Sequence, residues 1–304
     1  MTTAAPLPRW IGVSLLLLIA VGFASNHVAA RIAFDHGANV ATAVAVRSCA
    51  TALFVLALLR QAGVTVRMPA PTLRRAMLIG LLVAIQSLCL YSAVARIPVA
   101  LALLVFNTFA LMLGLISWAA GAERPSRRAF VAMPLALLGL ALALDVAGVA
   151  GPVAGAAAIA PATMGAGIAF AFSGAAAFAT ALFLTTRWLG AIDGRLRTLV
   201  LMSVVAAVAL ASGAIGGRFD WPRDGTGWLA LATLVVLYGA GTTALFVLLP
   251  RMGAVNNAAV MNFEPIAALL LAWIVLDQRV APIQIVGALV VIGAIVMLST
   301  GRRS

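Results

Sequence analysis

Apolar residues run along this chain in blocks of about twenty, the length that crosses a bilayer as a helix. Each block ends at an arginine, a proline or a short polar cluster. The blocks predict helices near residues 10–33, 40–59, 74–95, 99–120, 128–147, 164–186, 197–216, 227–249, 254–276 and 281–300, ten in all. The long connection "DVAGVAGPVAGAAAIAPATM", residues 145–164, is rich in Ala, Gly and Pro and carries no arginine. It divides the chain into a first five-helix unit (1–147), a linker (148–163) and a second five-helix unit (164–304).

Composition agrees with an all-α polytopic membrane protein: 64% of the residues are hydrophobic and 9% charged, against about a quarter charged in a soluble domain. All twenty basic residues are arginine. Without lysine there is no Walker A motif for ATP and no Schiff base for retinal or pyridoxal phosphate. The net charge of +12 is spread over the helix flanks rather than gathered in one patch, so it reads as a topology signal and not as a nucleic-acid surface. With the N-terminus inside, fourteen arginines fall in inside segments and five in outside loops, with Arg47 inside helix 2. The positive-inside rule then places both termini in the cytoplasm. The start "MTTAAPLPRW" leads straight into an apolar block, which is expected to stay as the first helix. Cys49 and Cys89 lie in apolar blocks and suggest neither a disulfide nor a metal site. No cofactor is expected. The expected partners are a small-molecule substrate and membrane lipids. Gly213 and Gly217 match a close-packing motif too common to fix an oligomeric state.

An odd number of helices per half requires any repeat between the halves to be inverted. An offset of 155 residues sets "RIPVALALLVFNTFALMLGLISWAAGAER" (96–124) over "RMGAVNNAAVMNFEPIAALLLAWIVLDQR" (251–279). Arg96 then meets Arg251, Asn107 meets Asn262, Trp118 meets Trp273 and Arg124 meets Arg279. Inverted repeats are a common construction of secondary transporters, whose site lies near the midplane where the halves meet.

Over essentially its whole length the chain resembles the EamA-type members of the drug/metabolite transporter superfamily. The sharpest piece is "NFEPIAALLLAWIVLDQRVAPIQIVGALVVIGAIVML", in which Glu264, Pro265, Arg279, Gln284 and Gly287 match the family pattern. It departs from that pattern at "LDQR", where Gln278 replaces the usual glutamate. In the first half, "GAER" keeps Glu123 and Arg124, but Ala110 occupies the position of Pro265. The resemblance implies two inverted five-helix repeats, an inner-membrane location and export of small metabolites from the cytoplasm, with amino acids the leading class.

Polar residues inside apolar blocks are the candidate site. A charge near the midplane costs roughly 2.5–3.5 kcal/mol, so it faces protein or water. Glu264 is the one acid placed near mid-depth, next to the helix-breaking Pro265, which cannot donate to the carbonyl of Met261. Two readings stand: a protonated Glu264 satisfying a freed carbonyl, or a carboxylate binding a substrate amine or a coupling proton. Asn26 and His27 are adjacent and point about 100° apart, so that one of them faces a central cavity. His27 is either a proton carrier or a neutral interhelical hydrogen-bonding group. Arg31 is expected to snorkel to the outer interface. Arg47 either snorkels to a carbonyl or lipid phosphate, or binds a substrate carboxylate. Gln86 and Tyr91, five apart, share a face only loosely. Tyr238 precedes Gly239, Gly241, Thr242 and Thr243, where small residues permit close helix approach. Asn107 and Asn262 are cavity residues or interhelical hydrogen bonds. Phe172, Phe178 and Phe183 line a vestibule or pack in the core, and Trp118, Trp188 and Trp273 suit an interfacial belt.

The leading function is a secondary transporter working by alternating access without ATP, with aromatic or other hydrophobic amino acids as substrates. The alternative is an exporter or flippase of drugs, nucleotide-like metabolites or lipids. An intramembrane enzyme is remote. The chain has only His27 and His36, no HExxH, and acids mostly in loops.

Overall fold

The computed structural model describes residues 9–121, 127–143, 159–252, 264–276 and 281–299. The regular elements among them are helices: α1 (Arg9–Asp35), α2 (Val40–Gln61), α3 (Ala70–Val94), α4 (Val99–Phe106), α5 (Phe109–Ala119), α6 (Arg127–Ala143), α7 (Pro161–Leu189), α8 (Gly194–Ile215), α9 (Gly225–Met252), α10 (Glu264–Leu276) and α11 (Pro282–Ser299). Hydrocarbon offers no partner for a peptide group, so apolar blocks of this length satisfy their backbone internally as helices. Among the described residues seven spans are long and apolar enough to cross a membrane, with α4 and α5 forming one of them. Shorter apolar helices cover Pro134–Ala143 and Pro282–Ala294.

The fourth predicted span is not one helix. It breaks between α4 and α5 at Asn107 and Thr108, although no proline is there. The side chains close the break themselves: Asn107 Nδ2 donates to the Leu103 carbonyl at 2.8 Å and Thr108 Oγ1 to that of Val105 at 2.7 Å. In the second half, α10 carries Glu264 in its first turn with Pro265 as its second residue, where a missing N–H costs nothing. Asn262 and Met261 lie outside the described residues, as do Arg124 and Arg279 of the expected repeat.

The helices follow the 155-residue offset closely. The starts of α3 and α9, at Ala70 and Gly225, are that far apart, and so are those of α6 and α11, at Arg127 and Pro282. Their packing follows it too. α1 lies along α9 as α3 lies along α7, and α1 meets α10 as α7 meets α4 and α5. α2 packs on α8 and α6 on α11, each pair mapping onto itself.

Small residues set the closest approaches. Gly139 on α6 faces Gly287 on α11, where an added Cβ would stand 2.9 Å from the Gly287 carbonyl oxygen. Gly241 on α9 gives room to the ring of Phe23 on α1. Gly213 is covered by Phe219 from its own following loop, and Gly217 turns the chain with φ +67°. Both glycines therefore have roles within the chain.

The loop after α1 and the loop after α8, both predicted to be outside, interlock. Asn39 N donates to the Asp220 carbonyl at 3.1 Å and Arg223 N to that of His36 at 3.0 Å. His36 Nδ1 lies 2.6 Å from Asp224 Oδ2. Asp224 Oδ1 also accepts from the Gly227 N–H at 2.9 Å at the start of α9. That amide first, and His36 second, hold the Asp224 carboxyl below the usual carboxylate range. Arg31 does not reach outward alone: its Nε pairs with Asp35 at 3.0 Å and its Nη1 donates to the Val94 carbonyl at 3.1 Å.

Three outcomes are expected from thermal unfolding of the purified protein. Gly287→Ala places a methyl against the backbone of Gly139 and Ala143 and lowers stability by about 1–3 kcal/mol. Gly293→Ala, with open space around it, leaves the melting temperature unchanged or slightly higher. Asp224→Asn keeps the helix cap but loses the His36 pair, so it melts below wild type at pH 5. Because the Asp224 carboxyl is depressed, its contribution is full above the ordinary carboxylate range of about pH 4 and fades as pH falls through the folded value. The gap to Asp224→Asn therefore closes towards pH 3. A gap that stays constant with pH contradicts the ion pair.

Candidate functional site

Polar residues from five helices meet inside the bundle. Asn26 and His27 come from α1, Arg47 from α2, Ser87 and Tyr91 from α3, Tyr238 from α9 and Glu264 from α10. The Tyr91 hydroxyl is the hub. It accepts from Asn26 Nδ2 at 3.1 Å and from Arg47 Nη1 at 2.9 Å, and it donates to Asn26 Oδ1 at 3.3 Å. Its ring meets His27 edge-on, with centroids 5.7 Å apart. His27 Nε2 in turn stands 3.6 Å from Glu264 Oε1, too long for a hydrogen bond. Both adjacent residues of α1 thus join the cluster. Tyr91 sits between their directions, offering its hydroxyl to one and its ring to the other.

Arg47 stays in the bundle rather than snorkelling: only 2% of its surface is exposed. Its Nη2 donates to Ser87 Oγ at 3.0 Å, and Ser87 leads on to Gln86 Oε1 at 3.4 Å. The guanidinium carbon lies 4.6 Å from the centroid of Tyr91 and 3.9 Å from that of Tyr238. These are the chain's only two tyrosines, and both give a π-face to the same cation. Tyr238 also reaches Met202 on α8, its hydroxyl 3.7 Å from the sulfur. Thr51 Oγ1 donates to the carbonyl of Arg47 at 2.8 Å.

The hydrogen-bond account is incomplete at four buried atoms among the described residues: His27 Nδ1, Thr42 Oγ1, Arg47 Nε and Ser48 Oγ. Three of the four lie on α2, and each would cost about 1–3 kcal/mol if left unmet.

An aromatic group stands at the repeat-related position. Phe178 on α7 packs against Phe109 on α5 and Phe106 on α4, with centroids 4.9 and 5.5 Å away. The offset of 155 carries Phe109 to Glu264 and Phe23 to Phe178. Hence the α1–α10 contact is polar, while its counterpart between α7 and α5 is aromatic. Phe172 is half-exposed and takes no part in this group. Trp118 and Trp273 are exposed near helix ends, and Trp188 lies under the Arg75 guanidinium at 5.7 Å.

Of the candidates, Asn26, His27, Arg47, Gln86, Tyr91, Tyr238 and Glu264 are brought into one connected set. Asn107 is buried but bonds its own helix. Asn262 lies outside the described residues. Ser87 had not been singled out, although its place four residues before Tyr91 puts the two on one helix face. Met202 and Phe109 carry no signal in their own identity. Both are found only through the offset, since Arg47 maps onto Met202. Among the described residues no three His, Cys, Asp or Glu side chains come together to hold a metal. A cation, an imidazole and a carboxylate in one buried cluster can bind an anionic group and an ammonium group, or pass a proton.

A solved structure described only as a crystal structure of a protein shares this fold over 94% of each chain, with a TM-score of 0.60 at 18% identity. No curated protein matches the sequence. The EamA-like transporter family model matches twice, over residues 10–144 and 165–300, so that its two copies start at the same 155-residue offset as the helices. On those two matches, which together span most of its length, this chain belongs to the EamA-like transporter family.

Proposed function

We propose that the chain is a secondary transporter that exports small metabolites, foremost aromatic or other hydrophobic amino acids, from the cytoplasm by alternating access of its two halves. The observation that carries this reading is the His27–Glu264 contact between α1 and α10, linked through Tyr91 to the buried Arg47. A bundle serving only as a scaffold gains nothing from such groups, because each is expensive in hydrocarbon. Family membership supports transport of a small molecule across a membrane. The amino-acid class is supported by a site that is polar on one side and aromatic at the repeat-related position, as a hydrophobic amino acid requires. General likeness to the bacterial aromatic amino-acid exporter YddG points the same way.

Ten membrane spans in two inverted repeats, over 1–147 and 164–304, belong to the same proposal. The shared offset of helix starts, helix contacts and family matches supports the repeat. The five-span count per half makes it inverted. The arginine distribution supports an inner-membrane protein with both termini in the cytoplasm. A C-terminal green fluorescent protein fusion is then expected to fluoresce, and a C-terminal alkaline phosphatase fusion to stay inactive. The opposite pair of results overturns the orientation.

Uptake into proteoliposomes tests the function, with aromatic, aliphatic and polar amino acids offered with and without a pH gradient. Saturable uptake of a hydrophobic amino acid is expected. Transport of drugs, nucleotide-like metabolites or lipids instead would replace the substrate class. Glu264→Gln is expected to reduce the uptake rate at least tenfold while the melting temperature stays near wild type. Wild-type uptake by this variant at every pH would give the carboxylate a structural role.

A further inference from the structure

We infer that Arg47 is the anion receptor of this transporter: its substrate carries a carboxylate, which binds the free Nε edge of the guanidinium. The inference rests on the transport reading above and deepens it by fixing which end of the substrate binds where.

The argument begins with charge pairing. Four of the five described carboxylates have a basic partner, Asp35 with Arg31, Asp193 with Arg195, Asp220 with Arg218 and Asp224 with His36, while Glu264 stands 3.6 Å from the His27 imidazole. Arg47 is the most buried arginine among the described residues and pairs with none of these five carboxylates. Tyr91, Ser87 and Tyr238 surround it with hydroxyls and ring faces, which hold a guanidinium in place without neutralising it.

Its donors are also incompletely used. A guanidinium has five N–H groups in a planar fork. One hydrogen bond from Nη1 goes to Tyr91, one from Nη2 goes to Ser87, and Nε has no partner. The rings of Tyr91 and Tyr238, 4.6 and 3.9 Å from the guanidinium carbon, flank the fork and leave its Nε edge for a planar acceptor. A carboxylate is such an acceptor, taking two parallel N–H bonds. Two further polar atoms of α2, Ser48 Oγ and Thr42 Oγ1, are buried without partners, and Ser48 is the residue next to Arg47. The helix that presents the cation thus has more hydrogen-bonding capacity than the protein fills.

The other end of the substrate follows from the same cluster. Glu264, across Tyr91 and His27 from Arg47, is the acceptor for an ammonium. Tyr91 and His27 lie between the two groups. An α-amino acid meets both. A simple carboxylic acid meets only Arg47, and an amine or ester meets only Glu264.

The test uses wild-type protein in proteoliposomes, with inhibition of labelled phenylalanine and leucine counterflow as the readout. Competitors are phenylalanine, 3-phenylpropionate, phenylalanine methyl ester and phenethylamine. Phenylalanine is expected to compete best and 3-phenylpropionate measurably. The ester and amine should be at least tenfold weaker than phenylalanine. Arg47→Gln should weaken phenylalanine and 3-phenylpropionate at least tenfold while leaving the ester unchanged, and Arg47→Lys should recover part of the loss. The wild-type comparison needs no variant, so it stands even if Arg47→Gln does not fold. Ester and amine competing as well as phenylalanine would overturn the inference, as would Arg47→Gln binding like wild type. If the protein transports only uncharged or cationic compounds, the carboxylate receptor is wrong while the transport reading survives. If it transports nothing offered in this or the wider panel, both fall.

Discussion

A cation with almost no exposed surface, carried on the second helix of a bundle, dictates much of what surrounds it. Lipid cannot hydrate Arg47, and no acid among the described residues lies beside it, so the bundle has to supply the missing interactions. It does so by bringing α3 close enough for Tyr91 and Ser87 to accept hydrogen bonds, and α9 close enough for Tyr238 to cover the other face. Thr51 ties its own hydroxyl to the Arg47 carbonyl. A small residue also lets α9 come close to α1 beside the cluster. Gly241, three residues beyond Tyr238, accepts Phe23 of α1 in the space a side chain would fill. The polar core and the glycine contacts are thus two sides of one constraint, because buried hydrogen bonds need short interhelical distances.

The scaffold around this cluster repeats, but the cluster does not. Helix starts and helix pairings recur at the offset of 155, down to the self-paired α2–α8 and α6–α11 contacts. Side-chain chemistry diverges at the same positions. Arg47 corresponds to Met202, Tyr91 to Phe246, His27 to Leu182 and Glu264 to Phe109. In each pair the residue that takes part in the polar cluster is replaced by an apolar one of comparable bulk. At these four positions bulk is kept and polarity is not, whereas Asn26 and Tyr238 correspond to the smaller Ala181 and Val83, and Ser87 to Thr242, which keeps a hydroxyl.

Most of the scaffold was legible in the sequence because apolar blocks of bilayer length have few alternative folds. Arg47 and Glu264 were legible as candidates for the same reason, since a charge inside such a block is anomalous. Which residues meet was not legible. The cluster draws on five helices, and their rotations are decided by packing between segments far apart in the chain. Asn26 and His27 show the difficulty. Their 100° separation suggested that one faces inward, yet one tyrosine contacts both. The break at Asn107 was missed because proline was the expected signal. There the side chains of Asn107 and Thr108 turn back on the α4 carbonyls instead, which favours leaving the helix. Phe178 was a vestibule candidate, but Phe106 and Phe109 looked like any apolar residues until the offset paired Phe109 with Glu264.

The asymmetry has a mechanical consequence for the proposed transport cycle. Two equivalent halves allow each to adopt the conformation of the other, which gives a pair of states of similar energy. Identical side chains would also let a substrate bind in two opposite orientations. Concentrating the polar groups on α1, α2, α3, α9 and α10 removes that degeneracy, because only one end of an amphiphilic substrate finds partners there. Met202, the counterpart of Arg47, touches the same Tyr238 that covers the guanidinium. The cation therefore lies beside the self-paired α2–α8 contact, where the two halves meet. In the proposed cycle this position puts the charge near the centre of the exchange, where the polar end of the proposed substrate keeps one partner while access alternates around it.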